Sequence, residues 1–362
     1  MKSVLRIIVG LIFIASGFVK AVDVVGFSFK LEEYFSPTVF NLPFFEKYAL
    51  VLAIIVVVLE LVLGTLLLLK IRLKNTLLAL IALCIFFAFL TFYSAYFDKV
   101  TDCGCFGDAI KFTPWQSFTK DIILLFVLII LWFLYRKEFS KNERNTSLRL
   151  WLLAFSIAAT VFVVAFGIYD EPLIDFRNYK VGTDLNSEKK KIKENPSEYK
   201  TFYSLKNSKT GETIKINQDD YVNNAKYWEE GTPWSIDTAK NESVLTKEGY
   251  HSEIEKFEIE DASGFRLTEE ILNSPKAILI FSYHPEKADP NILKQAEEKA
   301  KNQKDALVLG VSTNPSTFKL IKNTVMDGTA IKTIARSNPF VLVLKNGVIT
   351  EKMPATSFIK NP

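Results

Sequence analysis

Two cysteines separated by one glycine stand in the run Thr101-Asp102-Cys103-Gly104-Cys105-Phe106-Gly107-Asp108, and the only other cysteine of the chain is Cys84. Cysteines this close can bridge only through a tight, strained ring, and the glycine relieves the backbone part of that strain. Strained, exposed disulfides are oxidising and labile, so such a pair could pass a disulfide to another thiol by exchange. Three other uses stay open: a static loop staple, two ligands of a metal site, or two free thiols. Zinc needs about four nitrogen or sulfur ligands, and no histidine precedes His251, so no metal is expected. Glu60 is the second candidate, the one charge in residues 51–69. Carboxylates within apolar spans face a bundle interior or a wet cavity. Glu60 is read as a proton relay, a quinone-site ligand or a neutral structural acid, with no basic residue of the spans at its depth. Gly64, one turn on, lets a second helix approach closely.

The elements that carry these residues are long and apolar. Residues 7–19, 75–97, 122–135 and 150–169 contain no Asp, Glu, Lys or Arg. A bilayer core about 30 Å thick takes about 20 apolar residues as a helix. Five transmembrane helices are therefore expected, at about 4–20, 48–69, 75–97, 114–135 and 149–169. The first resembles a signal peptide, but four spans follow it, which favours retention. Ten Lys and Arg lie at one set of ends (Lys2 and Arg6, residues 70–74, residues 136–149) and five at the other, Lys20 and Lys30 among them. The richer side should be cytoplasmic, which puts the N-terminus inside and everything after Tyr169 outside.

On the outer side, residues 24–35 read as an amphipathic helix along the membrane interface, with Phe27, Leu31, Tyr34 and Phe35 on one face and Ser28, Glu32 and Glu33 opposite. Thr113-Pro114-Trp115-Gln116 is a capping box opening the fourth span, whose positive end faces the cysteine loop. Cys84 lies roughly 15 Å into the third span and reads as a small packing residue.

At these residues the membrane half resembles the DoxX and MauE-like family of four-helix membrane proteins. The resemblance rests on residues 16–23 (SGFVKAVD), Gly26-Phe27 through Tyr34-Phe35, Glu60 to Gly64, and Cys103 to Asp108, with the last piece pointing to the MauE side. It covers about the first 140 residues. It implies a part in methylamine utilisation and disulfide formation in a periplasmic partner, and a core similar to the vitamin K epoxide reductase bundle, which couples disulfides to a quinone. This sequence has no CxxC beside a membrane quinone site, and it adds a fifth helix. The whole plan is similar to two-part DoxX proteins of Bacteroidetes-type bacteria.

The polar half begins after Tyr169. Residues 187–200 read as a charged linker, residues 201–205 and 213–216 as a hairpin, and residues 221–234 as an aromatic, irregular segment. Residues 256–260 read as a strand and 261–264 as a turn. Residues 277–283 and 306–312 read as buried strands, 289–302 and 315–323 as helices, and 340–344 with 348–351 as a hairpin about Asn346-Gly347. This order resembles the thioredoxin-like fold. Asn338-Pro339 matches the position of its cis-proline, and the redox loop falls at residues 282–287 (SYHPEK). No cysteine follows Cys105, so thiol chemistry does not carry over to this domain. His284 stands in that loop without an evident partner. Asn338 and Pro339 are the candidate docking point for an extended peptide.

The expected plan is a four-helix DoxX/MauE-like domain (1–140), a fifth transmembrane helix (141–169), a linker and β-rich segment (170–252) and a thioredoxin-like domain (253–362). The averages agree with two unlike halves: 362 residues, 49% hydrophobic, 23% charged and net charge +4, with a mean hydropathy of +0.16. They exclude disorder and give no case for nucleic acid. The expected function is thiol–disulfide exchange at the inner membrane through Cys103 and Cys105, with a lipid bilayer and a periplasmic client as partners. Glu60 is the residue a quinone would use. The alternative is a non-enzymatic scaffold whose α/β domain binds an envelope protein.

Overall fold

The computed structural model describes residues 1–100, 107, 109–110, 112–139 and 147–361. The chain opens with α1 (Lys2–Val22), α2 (Val24–Phe35), α3 (Pro43–Lys47), α4 (Ala49–Leu69), α5 (Leu73–Phe97), α6 (Pro114–Tyr135) and α7 (Ser147–Tyr169). Five of these, α1 and α4 to α7, are long and apolar enough to cross a membrane. They fall within a few residues of the spans read from hydropathy. Helices suit that environment because every backbone group is paired within the segment.

Small residues set how the helices meet. A Cβ on Gly10 would stand 2.8 Å from Leu68 Cδ2 and 3.2 Å from the Gly64 carbonyl, and one on Gly64 would stand 3.1 Å from the Gly10 carbonyl. The two backbones therefore touch, as small residues allow between helices in lipid. Gly10→Leu should overpack this crossing and cost about 1–3 kcal/mol, read as a lower unfolding midpoint of the full chain in detergent. Two apolar clusters fill the bundle. Val9, Phe13, Leu77, Leu128 and Tyr135 belong to one. Ala21, Val24, Phe27, Ala53 and Leu90 belong to the other.

Helix α2 forms as the sequence predicts, but it does not lie free along an interface. Ser28, expected on its polar face, is buried, and Phe27, Leu31, Tyr34 and Phe35 join the apolar cluster with α4. Asp23 caps it by accepting from Gly26 N at 2.9 Å.

The α/β part follows as α10 (Thr268–Asn273), β5 (Ala277–Ser282), α11 (Pro290–Lys301), β6 (Leu307–Ser312), β7 (Lys322–Val325), α12 (Gly328–Ile334), β8 (Phe340–Lys345), β9 (Val348–Pro354) and α13 (Ala355–Lys360). Its sheet runs β7-β6-β5-β8-β9. β5, β6 and β7 are parallel, and β8 and β9 antiparallel. This is a thioredoxin-like order with β7 added at the edge. The Asn338-Pro339 bond is cis, and Asn346 and Gly347 take the positive φ their turn requires.

Two expected elements are replaced. Residues 315–323 are not a helix, because side chains capture the amides a helix would use: Glu297 Oε2 accepts from Lys319 N and Leu320 N, and Asn323 Oδ1 from Phe318 N. The chain then enters β7. Residues 256–260 are not a strand: a 3-10 turn occupies Glu253–Lys256, and Glu260 alone makes β-bridges.

Residues Asp184–Phe257 form a compact unit of their own, apart from the unit of Met1–Thr183 and Glu258–Pro362. It contains α8 (Leu185–Glu194), β1 (Glu198–Asn207), β2 (Thr213–Asn217), α9 (Gln218–Asn223), β3 (Trp234–Ile236) and β4 (Glu242–Lys247). The charged run read as a linker is helical where Asp184 caps α8, and Glu188–Lys191 and Lys190–Glu194 pairs line its surface. The β1–β2 hairpin is present.

Candidate functional site

Close packing of α1 on α4 sets Lys20 against Glu60. Lys20 Nζ donates to Glu60 Oε2 at 2.9 Å and Oε1 at 3.1 Å, and to Ser16 Oγ at 2.7 Å. Both side chains are buried, 2% and 3% exposed. The rings of Phe27 and Phe87 stand 5.8 and 5.4 Å from the ammonium. The expectation that no basic residue lies at the depth of Glu60 is therefore wrong. Lys20 is two residues from the end of α1, where a lysine normally reaches out to the interface, but the turn into α2 closes over it and it points inward.

A second pair lies beside the first. Lys120 Nζ and Asp121 Oδ1 are 2.8 Å apart, and Thr91 Oγ1 donates to Asp121 Oδ2 at 3.2 Å. Sequence reasoning missed this pair because the charge-free run begins at Ile122, although the capping box, confirmed at Thr113 and Gln116, already placed residues 120 and 121 inside the helix. The pairs share a cavity of about 10 Å³, lined also by Ser16, Phe87 and Cys84. Cys84 is a free, buried thiol, packed as expected but with charged neighbours. That space is about what one water needs. With Glu60 already held by Lys20, the residues do not fit a quinone ring, which takes a pocket of hundreds of cubic ångströms.

The other side of α2 meets the α/β part. Asp23 accepts from Arg336 Nε at 2.8 and 2.9 Å, and Glu32 accepts from Lys332 Nζ at 2.7 Å. The Phe29 ring packs edge-on to Tyr283 at 5.2 Å, under Lys332 at 5.0 Å and Arg336 at 5.7 Å. A Cβ at Gly26 would strike Asp23 Oδ2 at 2.6 Å and Arg336 Nη2 at 2.8 Å, so a side chain there would have to displace the Asp23–Arg336 pair. Burial pushes the Asp23 carboxyl up, but the Arg336 charge and hydrogen bonds outweigh it and hold it below its ordinary value.

A second knot follows α7. Arg177 Nε donates to Asp175 Oδ1 at 2.8 Å and Nη1 to the Ile334 carbonyl at 2.9 Å, and Arg177 also pairs with Glu171. Lys352 Nζ donates to Asp175 Oδ2 at 2.6 Å and to the Tyr179 carbonyl at 2.8 Å. Asp175 is desolvated, yet Arg177 and Lys352 hold its carboxyl at about 2.

The loop after β5 meets the cis-proline as the thioredoxin-like order requires. Ser282 Oγ donates to Asn338 Oδ1 at 2.8 Å, and Asn338 Nδ2 to the His284 carbonyl at 2.6 Å. His284 Nδ1 lies 3.1 Å from Glu286 Oε1, and burial, with Lys332 and Lys287 nearby, lowers its pKa. The structure thus brings Asn338, Pro339 and the 282–287 loop together, and leaves Glu60 apart from them in the bundle. Cys103 and Cys105 lie outside the described residues. Of their described flanks, Val100 is fully buried in the apolar cluster of α2 and α4, and a Cβ on Gly107 would stand 3.4 Å from Val19 Cγ1.

Fold and site together define a multi-pass membrane protein that carries a thioredoxin-like domain. A family model described as methylamine utilisation protein MauE matches residues 1–134. Protein TlpB of Flavobacterium psychrophilum is 32% identical over 144 residues, 38% of this chain and 38% of that relative, so the chain spans well under half the length of the relative it matches. No solved structure matches the chain.

Proposed function

We propose that the chain is a thiol–disulfide exchange protein of the bacterial inner membrane, with the N-terminus cytoplasmic, the α/β domain periplasmic, and Cys103 and Cys105 as the exchanging pair. The observation that supports it most is the position of α2. This helix fixes a cysteine-free domain, of a fold built for thiol exchange, to the same end of the bundle at which Val100 and Gly107 flank the pair. In this reading a client thiolate attacks one sulfur of the Cys103–Cys105 disulfide and frees the other. A second client thiolate then resolves the mixed disulfide. The client leaves with one disulfide, and the pair leaves as two thiols holding the two electrons. The α/β domain holds the client chain beside Asn338 and Pro339.

Trapping tests this. Cys105→Ser should accumulate mixed disulfides through Cys103, seen as adducts that reductant releases, and Cys84→Ala should leave them unchanged. No adduct, with a wild-type pair inert to redox buffers, would remove the proposal. The contacts of Asp23 with Arg336 and Glu32 with Lys332 favour a second reading, a non-enzymatic scaffold that presents a fixed α/β domain to an envelope protein. That reading expects a stoichiometric partner whose co-purification survives Cys103→Ser.

A further inference from the structure

Helix α2 uses its two sides for different contacts. Phe27, Leu31, Tyr34 and Phe35 sink into the apolar cluster of the bundle, while Asp23 at its cap, Phe29 and Glu32 meet the α/β part. On that second side a single ring stands in a small basic seat. Tyr283 forms its wall, edge-on at 5.2 Å, and Lys332 and Arg336 stand over the Phe29 ring at 5.0 and 5.7 Å. A ring beneath two cations, with one carboxylate for each cation, combines cation–π attraction with charge complementarity. The seat adjoins the loop at the cis-proline. Tyr283 lies between Ser282, which binds Asn338, and His284, whose carbonyl accepts from Asn338.

Three observations make α2 an exchangeable occupant of this seat. First, α2 leaves its surroundings incompletely satisfied. The His284 ring meets Tyr283 at 5.2 Å, and its Nε2 is shielded from solvent with no hydrogen-bond partner among the described residues. An atom left so is unfavourable until a donor or acceptor reaches it. Second, Lys332 and Glu32 are 25% and 21% exposed, so water already reaches that pair and its net worth is small. Third, α2 keeps a place of its own without the domain. Its apolar side stays in the bundle, and Asp23 keeps the bond from Gly26 N at the positive end of the helix. A segment that brings a ring and two carboxylates therefore trades contacts with α2 and strands no charge on the domain.

We propose that the seat of Tyr283, Lys332 and Arg336 is a partner-binding surface for a protein segment with an aromatic ring flanked by carboxylates, and that α2 plugs it in cis through Phe29, Glu32 and Asp23. Only in calling that segment a client does this rest on the exchange reading. A tethered plug acts at an effective concentration of about millimolar order, so an incoming segment binds with its intrinsic affinity reduced by the fraction of molecules that are open. Weakening the plug without touching the seat strengthens binding. Weakening the seat abolishes it, although both changes loosen the same junction.

The probe is a fluorophore-labelled peptide with the sequence of residues 23–35, followed by anisotropy against the full chain in detergent. Phe29→Ala with Glu32→Gln should bind it about tenfold or more tightly than wild type. Tyr283→Ala with Lys332→Met, which opens the junction but spoils the seat, should bind it no better than wild type. A peptide carrying Phe29→Ala should lose binding to every form, which separates the seat from uptake by detergent. The proposal is overturned by equal binding to wild type and plug variant, by equal binding to plug and seat variants, or by no binding at all. Glu32→Gln alone keeps the ring and guards against misfolding of the double variant: it should give a smaller gain, and no gain counts against the plug. Trapping separates this proposal from exchange. If the peptide behaves as expected but Cys105→Ser gives no adduct with either the intact or the weakened plug, exchange falls and the seat stands. Adducts without peptide binding remove the seat alone.

Discussion

Glu60→Gln should destabilise the bundle by about 3–5 kcal/mol, because it removes the carboxylate charge that balances the buried Lys20 ammonium. Lys20→Met should cost a similar amount by stranding Glu60. The two changes made together, as Lys20→Met with Glu60→Met, should recover most of the loss. No charge is then left unpaired, and the apolar side chains suit walls already formed by Ile12, Phe13 and Phe87. Unfolding of the full chain in detergent, run as a double-mutant cycle, measures the coupling. Additive single losses would mean that the 2.9 Å contact carries no energy of its own.

The parts of this architecture that were legible in the sequence are those decided locally. Each span was readable because a run of about 20 apolar residues has one stable solution in lipid. The cap at Thr113 was readable because Thr, Pro and Gln each satisfy a defined position. Strands β5 and β6 were readable as continuous apolar runs. Illegible features were those settled by distant partners. Lys20 was counted among the loop charges because a lysine at a helix end normally reaches water; its partner is 40 residues away and the turn at Asp23 buries it. Glu32 and Lys332 are 300 residues apart, and no local pattern announces that the polar face of α2 has a protein partner rather than water. Helix α12 was missed because seven residues carry too little periodicity, and Glu297 cancels the helix read at 315–323 from another element. For the site, Glu60 was found alone while the other three members of its cluster were not.

Arg336→Ala should release the α/β domain from α2. Asp23 would lose both of its close contacts to that guanidinium and stay buried as a carboxylate, a loss of about 3–5 kcal/mol from the junction. Hydrogen exchange should rise together in α2 and in residues 328–336, while the five membrane helices keep their protection. Uniform loss across the chain would instead show that the junction and bundle unfold as one. Acid should act on the same place. Asp23 is held below its ordinary value of 3.8, and Asp175 at about 2. Both ionise more readily folded than unfolded, so their stabilisation is complete above about pH 4 and is lost as pH falls towards 2. Raising the pH to 8 removes nothing from either. Exchange in α2 measured down that range should therefore increase in wild type and rise less in Asp23→Asn with Arg336→Met, in which that pair is gone while Glu32–Lys332 and the knot at Asp175, Arg177 and Lys352 remain.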